Sequence, residues 1–188
     1  METRATDVLV VGSGCAALRA ALEVARSGLR ATVISKGHPG YANCTYHSNG
    51  VLNAPEGREA VEKFVELTLR VGRFLNDREL VKTMAEGASG LRRELANMGL
   101  EVRGRGWRLE VIGRGPALSR ALLREVLGAG VELLGRLMAL SIISEGERAL
   151  GLVAYDYGRD RFVAFFAKSI ILATGGAGAL YARTTNPL

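Results

Sequence analysis

The sequence predicts an α/β fold, with a mostly parallel sheet, helices and an added antiparallel β-meander. A continuous apolar run at residues 7–11 leads into a glycine-rich turn and an alanine-rich helical stretch. A second apolar run, at residues 169–173, also leads into glycines. Between them, residues 131–166 hold short apolar runs separated by turn residues, a pattern typical of a meander.

The N-terminal segment predicts a strand–turn–helix–strand unit. Residues 7–11 (DVLVV) have the unbroken apolar character of a buried parallel strand, and residues 17–26 have the composition of a helix. Gly28 is placed to end that helix, and residues 31–34 (ATVI) predict the second strand. The unit occupies about 30 residues, as a strand–helix–strand motif does.

The middle of the chain predicts a long loop, two helices and a connector. Residues 37–55 are rich in Gly, Asn, Ser, Thr and Pro, so we expect a loop rather than a regular element. Residues 58–75 carry apolar residues with a period close to that of a helix. Asp77 is placed to cap a second helix that runs to residue 98 and ends at Gly99. The basic, glycine-rich residues 99–115 predict a connector.

The second half predicts one more helix and five strands. Pro116 suits the first turn of a helix over residues 117–127. Turns are predicted at residues 145–146 and 158–160. The predicted strands are residues 131–134, 137–144, 149–155, 161–166 and 169–173.

Composition indicates one globular domain over residues 1–188. With 48% hydrophobic residues, a chain of 188 residues can bury a core without disulfides, and Cys15 and Cys44 offer no disulfide framework. No run approaches the ~20 apolar residues of a membrane span, and the N-terminus lacks a signal-peptide layout, so we expect a cytoplasmic protein. The net charge of +6 fits a solvated basic surface or the attraction of an anionic cofactor. Scattered arginines disfavour nucleic-acid binding.

The first glycine cluster predicts a dinucleotide site of the Rossmann type. Gly12 permits a tight turn, Gly14 lets backbone approach a diphosphate, and Ala17 allows close packing of helix on strand. Exposed amides and the positive end of the helix dipole favour an anion at this turn. The predicted strand before the cluster and helix after it strengthen the motif.

The end of the second strand departs from the usual motif. An Asp or Glu commonly binds a ribose 2′-hydroxyl there, but this sequence has Ser35 and Lys36. A cation could receive a 2′-phosphate instead, so an NADP site stays open on the residues alone. The sequence has no phosphate-binding loop of the nucleoside triphosphatase type.

The second glycine cluster, Thr174 to Gly178, follows the strand predicted at residues 169–173. Ligands bind outside the carboxyl ends of strands in an open parallel sheet. We therefore expect both glycine clusters to meet at one crevice.

Two segments resemble the flavoprotein subunits of succinate dehydrogenase and fumarate reductase, and L-aspartate oxidase. They are VVGSGCAALRAALEVARSG with the following TVISK, and ILATGGAGALYARTTNP near the C-terminus, with GERALGLVAYD before the second glycine cluster. The similarity is strong over residues 7–53 and 116–187 and limited to helix pattern and length over residues 56–115.

The resemblance implies an oxidoreductase with FAD as the cofactor, and favours FAD over NADP. It implies that residues 42–50 wrap the flavin, that Ser35 and Lys36 hold the adenosine ribose, and that backbone near Ala139 approaches the adenine. The cofactor-binding residues predicted by motif and resemblance are Gly12, Ser13, Gly14, Cys15, Ala16, Ala17, Ser35, Lys36, Ala42, Asn43, Cys44, Thr45, Ser48, Asn49, Gly50, Ala139, Ala173, Thr174 and Gly175.

Three departures from the family pattern shape the expected function. Asn43 stands where respiratory members carry a histidine that bonds covalently to flavin, so we expect non-covalent FAD, as in L-aspartate oxidase. Asn49-Gly50 replaces the usual Gly-Gly. The chain ends at Leu188, before the capping domain, the catalytic arginine, the substrate-binding histidine and the C-terminal FAD segment of the family.

We therefore expect an incomplete FAD-binding domain with no catalytic residue of its own. Its parent enzyme would transfer a hydride between flavin and a dicarboxylate or amino-acid substrate. That enzyme would be peripheral to the membrane if it belongs to a respiratory complex. The alternative is a non-catalytic subunit that binds FAD or NADP and is completed by a partner chain. Cys44 and His47, three residues apart, lack a second ligand cluster, so we predict no metal site.

Overall fold

The computed structural model describes residues 1–186 and divides the chain into two compact units. The first unit comprises Met1–Ser48 and the residues from Leu118 onward, and the second comprises Asn49–Ala117. In chain order the helices and strands are β1 (Glu2–Val11), α1 (Cys15–Arg26), β2 (Ala31–Ile34), α2 (Cys44–His47), β3 (Val51–Asn53), α3 (Arg58–Val71), α4 (Arg78–Gly87), α5 (Leu91–Asn97), β4 (Val102–Arg103), β5 (Arg108–Val111), α6 (Arg114–Gly128), β6 (Glu132–Leu134), β7 (Leu137–Glu145), β8 (Arg148–Asp156), β9 (Arg161–Leu172) and a 3₁₀ turn at Gly178–Leu180.

The first unit contains a six-stranded sheet in the order β6-β2-β1-β9-β8-β7. Strands β6, β2, β1 and β9 run parallel, whereas β9, β8 and β7 form an antiparallel meander. This arrangement confirms the predicted α/β class and the added meander.

The core of this unit follows from the alternation of side chains along the strands. Leu9 and Val11 point to one face and join a buried cluster with Ile34 of β2 and Phe165 of β9. Helix α1 packs against β1 and β2 and fully buries Leu18. Burying a leucine side chain contributes about 2 kcal/mol, so α1 is fixed to the sheet largely by its apolar stripe.

Strand β9 is one continuous element, although the sequence predicted two strands at residues 161–166 and 169–173. It pairs with β1 in parallel register, from Glu2↔Val163 to Val11↔Leu172. This long-range ladder includes Thr6↔Ala167 and Val8↔Ser169, and so continues across the position where the local pattern predicted a break.

The second unit combines three helices with a small sheet in the order β3-β5-β4. The helix predicted over residues 77–98 is divided into α4 and α5, because Gly90 adopts φ +84° at the start of α5. The structure also gives β4 and β5 within the predicted connector, and β3 within the predicted loop. Strand β3 pairs with β5 across more than 50 residues, a contact that local sequence does not encode.

Most other predicted elements lie close to the observed ones. Strand β2 has the predicted bounds, Pro116 lies in the first turn of α6, and β1 begins at Glu2 rather than Asp7. The predicted loop over residues 37–55 also contains the short helix α2. Within residues 1–186, no helix combines the length and apolar character needed to cross a membrane.

Candidate dinucleotide site

The first glycine cluster lies between the end of β1 and the start of α1, as the motif predicts. Gly12 has φ +121°, a conformation that residues with a Cβ avoid. Its N–H donates to the Ile34 carbonyl at 2.8 Å, which ties the turn to the end of β2. Ala17 is fully buried where the helix meets the sheet.

The N-terminus of α1 is suited to an anion. The first backbone hydrogen bond of the helix runs from Leu18 N–H to Gly14 C=O at 3.0 Å, so the preceding amides have no acceptor within the helix. Gly14 is the N-cap and provides no capping side chain, and the first turn holds no acidic residue. Amide hydrogens and the helix dipole therefore present positive potential at this turn.

The second glycine cluster meets the first at the same edge of the sheet. Strands β1 and β9 are neighbours, and Ala173 N–H donates to the Val11 carbonyl at 2.8 Å. A Cβ placed on Gly12 would lie 2.7 Å from the Ala173 carbonyl carbon and closer still to its oxygen. Thr174 and Gly175 follow as exposed residues. The predicted convergence of the two clusters is therefore present in the geometry.

The end of β2 forms a hydrogen-bonded corner beside the glycine turn. Ser35 and Ser13 are both buried, and their hydroxyls lie 2.8 Å apart. Ser35 N–H donates to the Leu134 carbonyl at 2.9 Å, and Leu137 N–H donates to the Ser35 carbonyl at 3.0 Å. The corner thus connects the turn after β1 to the start of β7, the strand that carries Ala139 two residues later.

Lys36 extends this corner with an exposed side chain. Its carbonyl accepts a hydrogen bond from the hydroxyl of Tyr157, a residue that the sequence did not single out. Tyr157 lies between β8 and the turn predicted at residues 158–160, and no local pattern links it to Lys36, 121 residues away.

The loop before and within α2 folds onto the glycine turn. The Asn43 side-chain oxygen accepts from Tyr46 N–H at 3.0 Å, which caps α2, and its Nδ2 donates to the Ser13 carbonyl at 3.2 Å. The Thr45 hydroxyl accepts from Cys15 N–H at 2.8 Å. These contacts bring the predicted flavin loop and the predicted diphosphate turn together within the first unit.

The remaining loop residues lie at the surface or in the second unit. Ala42, Cys44 and Ser48 are exposed, and the Ser48 hydroxyl donates to the Thr45 carbonyl at 2.8 Å. Asn49 and Gly50 belong to the second unit, where the Gly50 carbonyl accepts from Val111 N–H at 2.9 Å.

Both cysteines are at least partly exposed. Cys15, the first residue of α1, is partly exposed. Cys44 is exposed. Within residues 1–186, no three His, Cys, Asp or Glu side chains are grouped as metal ligands would be. Pro187, at the end of the second resemblance segment, lies outside the described residues.

Comparison with known proteins places these features in context. The family described as "FAD binding domain" matches residues 7–114 and 103–188. The chain is 32% identical over 202 residues to a fumarate reductase (CoM/CoB) subunit of Methanothermobacter marburgensis, covering 97% of this chain and 37% of that protein. It is 30% identical over 204 residues to L-aspartate oxidase of Streptomyces coelicolor, covering 97% and 35%.

Solved structures show the same fold. The chain superposes on E. coli quinol fumarate reductase FrdA with a TM-score of 0.87 at 23% identity, covering 99% of this chain and 35% of that one. It superposes on the Mycobacterium smegmatis Sdh1 complex with a TM-score of 0.82 at 25% identity, covering 99% and 37%. The chain thus spans about a third of the length of these proteins.

Proposed function

The chain belongs to the FAD-binding domain family, and we propose that it holds FAD non-covalently. It is the FAD-binding domain of a flavoprotein similar to fumarate reductase, succinate dehydrogenase and L-aspartate oxidase. The observation that carries this proposal is the meeting of two glycine-rich strand ends, Gly12 against Ala173, at the N-terminus of α1. This turn offers amides and a positive dipole where a diphosphate needs them.

In this proposal, different residues of the first unit contact different parts of the cofactor. Amides of Gly14, Ala16 and Ala17 bind the diphosphate, since Gly14 leaves room for close approach and the Cys15 N–H already donates to the Thr45 hydroxyl. Ser35 and Lys36 hold the adenosine ribose, with backbone near Ala139 beside the adenine. The loop from Ala42 to Ser48, with Ala173 to Gly175, lies along the flavin.

The side chain of Asn43 supports non-covalent attachment. An amide nitrogen is a poor nucleophile, and this one already donates to the Ser13 carbonyl. Its oxygen caps α2. Asn43 therefore shapes the loop rather than bonding to the cofactor.

For the whole protein we propose an oxidoreductase that acts on a dicarboxylate or an amino acid. Bound flavin supplies hydride transfer, and the domain's role is to bind it, orient it and limit its contact with water. The relatives include one subunit of a fumarate reductase and one member of an Sdh1 complex, which supports further polypeptide around this domain. We propose that the 188 residues alone do not turn over substrate.

A cofactor titration tests the proposal. FAD and NADP are titrated separately into the purified chain, and tighter binding of FAD is expected. Gly14→Ala should weaken FAD binding by at least about tenfold, because the added Cβ would crowd the turn, 3.4 Å from Thr45 Oγ1 and 3.9 Å from Asn43 Cβ. Gly128→Ala is the matched control, since neither glycine has a positive φ and Gly128 has open space around its Cβ position.

The outcomes separate the parts of the proposal. Tighter NADP binding, or equal FAD binding by wild type and Gly14→Ala, would contradict the site. After acid precipitation the flavin should appear in the supernatant, and flavin retained by the pellet would contradict non-covalent binding. Reduction of a dicarboxylate by the isolated chain would contradict the absence of turnover.

A further inference from the structure

A closed circuit of hydrogen bonds surrounds the corner after β2. Ser35 bonds through its main chain to Leu134 and Leu137, on either side of the turn between β6 and β7. Arg136, in that turn, has φ +62°, and its carbonyl accepts from Tyr157 N–H at 3.2 Å. The Tyr157 hydroxyl then donates to the Lys36 carbonyl, which closes the circuit.

Within this circuit, Ser35 and Lys36 are held in different ways. Ser35 has two main-chain bonds and a buried side-chain bond to Ser13. The Lys36 carbonyl, in contrast, accepts a hydrogen bond from the side-chain hydroxyl of Tyr157. The phenol hydroxyl of Tyr157 therefore helps to orient the peptide after Lys36.

That peptide leads directly into the loop over the glycine turn. A Cβ on Gly37 would overlap the methyl group of Ala42, so the backbone is already in close contact there. A rotation of the Lys36 peptide would shift Gly37 against Ala42. Tyr157 thus contacts the chain between the end of β2 and the start of this loop.

We propose that Tyr157 is a positioning residue for the adenosine half of the bound dinucleotide. The inference rests on the proposed function, in which Ser35 and Lys36 hold the adenosine ribose. Tyr157 acts through the Lys36 carbonyl and not by touching the flavin. Loss of its hydroxyl should therefore weaken binding of adenine nucleotides and leave the flavin half unaffected.

The position of Tyr157 allows its effect on nucleotide binding to be measured separately from an effect on the stability of the fold. Tyr157 is 46% exposed, so Tyr157→Phe removes a hydroxyl without opening a cavity in the core. Tyr155, on the same hairpin, donates its hydroxyl to Asp160 at 2.5 Å and not to Lys36. Tyr155→Phe is thus a matched control that removes the same group from a neighbouring position.

The experiment compares the dissociation constants of FAD, ADP and FMN for wild type, Tyr157→Phe and Tyr155→Phe. Loss of one hydrogen bond that orders the site predicts Kd values for FAD and ADP that rise about three- to tenfold in Tyr157→Phe only. The Kd for FMN should not change in either variant. Hydrogen exchange at residues 36–42 of the free protein should be faster in Tyr157→Phe than in Tyr155→Phe.

The results distinguish this role from a general structural one. Unchanged FAD and ADP binding, or unchanged exchange at residues 36–42, would overturn the role of Tyr157 while leaving FAD binding intact. An equal loss of FMN affinity would also overturn it, because the effect would not be confined to the adenosine half. A wild-type chain that binds neither FAD nor ADP would overturn both this inference and the proposed function.

Discussion

The carbonyl group of Ala173 occupies the space that a side chain on Gly12 would need. A Cβ at residue 12 would lie 2.7 Å from the Ala173 carbonyl carbon, and Gly12 has φ +121°. The close approach is possible because β1 and β9 are parallel neighbours whose ends are in register, Val11 opposite Leu172. Glycine at residue 12 thus joins the two halves of the candidate site.

Replacing Gly12 with alanine should destabilise the fold and remove cofactor binding. The new Cβ meets backbone that cannot move without breaking the β1–β9 ladder, and the φ angle is unfavourable for alanine. We expect a loss of at least about 2 kcal/mol in the free energy of unfolding, measured by urea denaturation. Gly28→Ala is the control, since Gly28 has φ +78° but nothing within 4 Å, and should cost about 1 kcal/mol. Equal losses for both variants would refute the steric argument.

Removing the hydroxyl of Thr45 should weaken the attachment of the loop to helix α1. The hydroxyl accepts from Cys15 N–H at 2.8 Å, across 30 residues of sequence. Thr45→Val keeps the side-chain shape and loses the acceptor, so we expect a loss of about 1 kcal/mol in unfolding free energy. Thr45→Ser keeps the acceptor and should retain most of the stability. Equal losses of unfolding free energy for Thr45→Ser and Thr45→Val would show that the hydrogen bond does not contribute to stability.

The local parts of the site were predictable from sequence, because each depends on neighbouring residues. The strand, the turn from Gly12 to Gly14 and the helix are consecutive, and their composition indicates each element. The meeting of Gly12 with Ala173 also followed from a general rule, that carboxyl ends of parallel strands share one edge.

The parts that sequence did not predict depend on contacts between distant residues. The Thr45–Cys15 and Tyr157–Lys36 hydrogen bonds join positions 30 and 121 residues apart. Strand β3 pairs with β5, which lies more than 50 residues later in the chain. The break between α4 and α5 had a local signal in Gly90, but the apolar periodicity on either side concealed it.

The buried hydroxyl pair of Ser13 and Ser35 should behave as one energetic unit. The two oxygens lie 2.8 Å apart, and either can donate. Ser13→Ala or Ser35→Ala leaves the other hydroxyl buried without this partner, at a cost of about 1–3 kcal/mol. The double variant should be more stable than the sum of the single effects predicts, by about 0.5 kcal/mol or more in a double-mutant cycle from urea denaturation. Strict additivity would show that the two hydroxyls do not interact.

Changing Asn43 to aspartate should separate its two contacts. Aspartate keeps the oxygen that caps α2 at Tyr46, but it cannot donate to the Ser13 carbonyl. It also adds a negative charge beside the proposed diphosphate turn. We expect the Kd for FAD to rise at least about fivefold, or about 1 kcal/mol, with a smaller rise at high salt. Unchanged FAD affinity at low salt would place the diphosphate elsewhere.

The stability of the first unit should depend on pH through Asp7. Its carboxylate accepts from Lys168 Nζ at 2.8 Å and from the Arg30 N–H at 3.0 Å, and so links β1 to β9 and to the residue before β2. The hydrogen bond from Lys168, followed by that from Arg30, lowers the pKa of Asp7 from 3.8 to about 2. A lowered pKa means that the folded state binds the proton less readily than the unfolded chain does.

The ionised form therefore stabilises the fold fully above pH 3.8, and this contribution disappears as the pH falls towards about 2. Asp7→Asn, which cannot ionise, lacks the contribution at every pH. The difference in unfolding free energy between wild type and Asp7→Asn should be constant from pH 5 to 7 and shrink below about pH 4. Lys168→Met keeps Asp7 but removes the Lys168 ammonium group that donates to it. This variant should raise the pKa of Asp7 in the folded state and so narrow the pH range over which the contribution of Asp7 is lost. Parallel curves for wild type and Asp7→Asn down to about pH 2 would show that the Asp7 carboxylate adds nothing to folding.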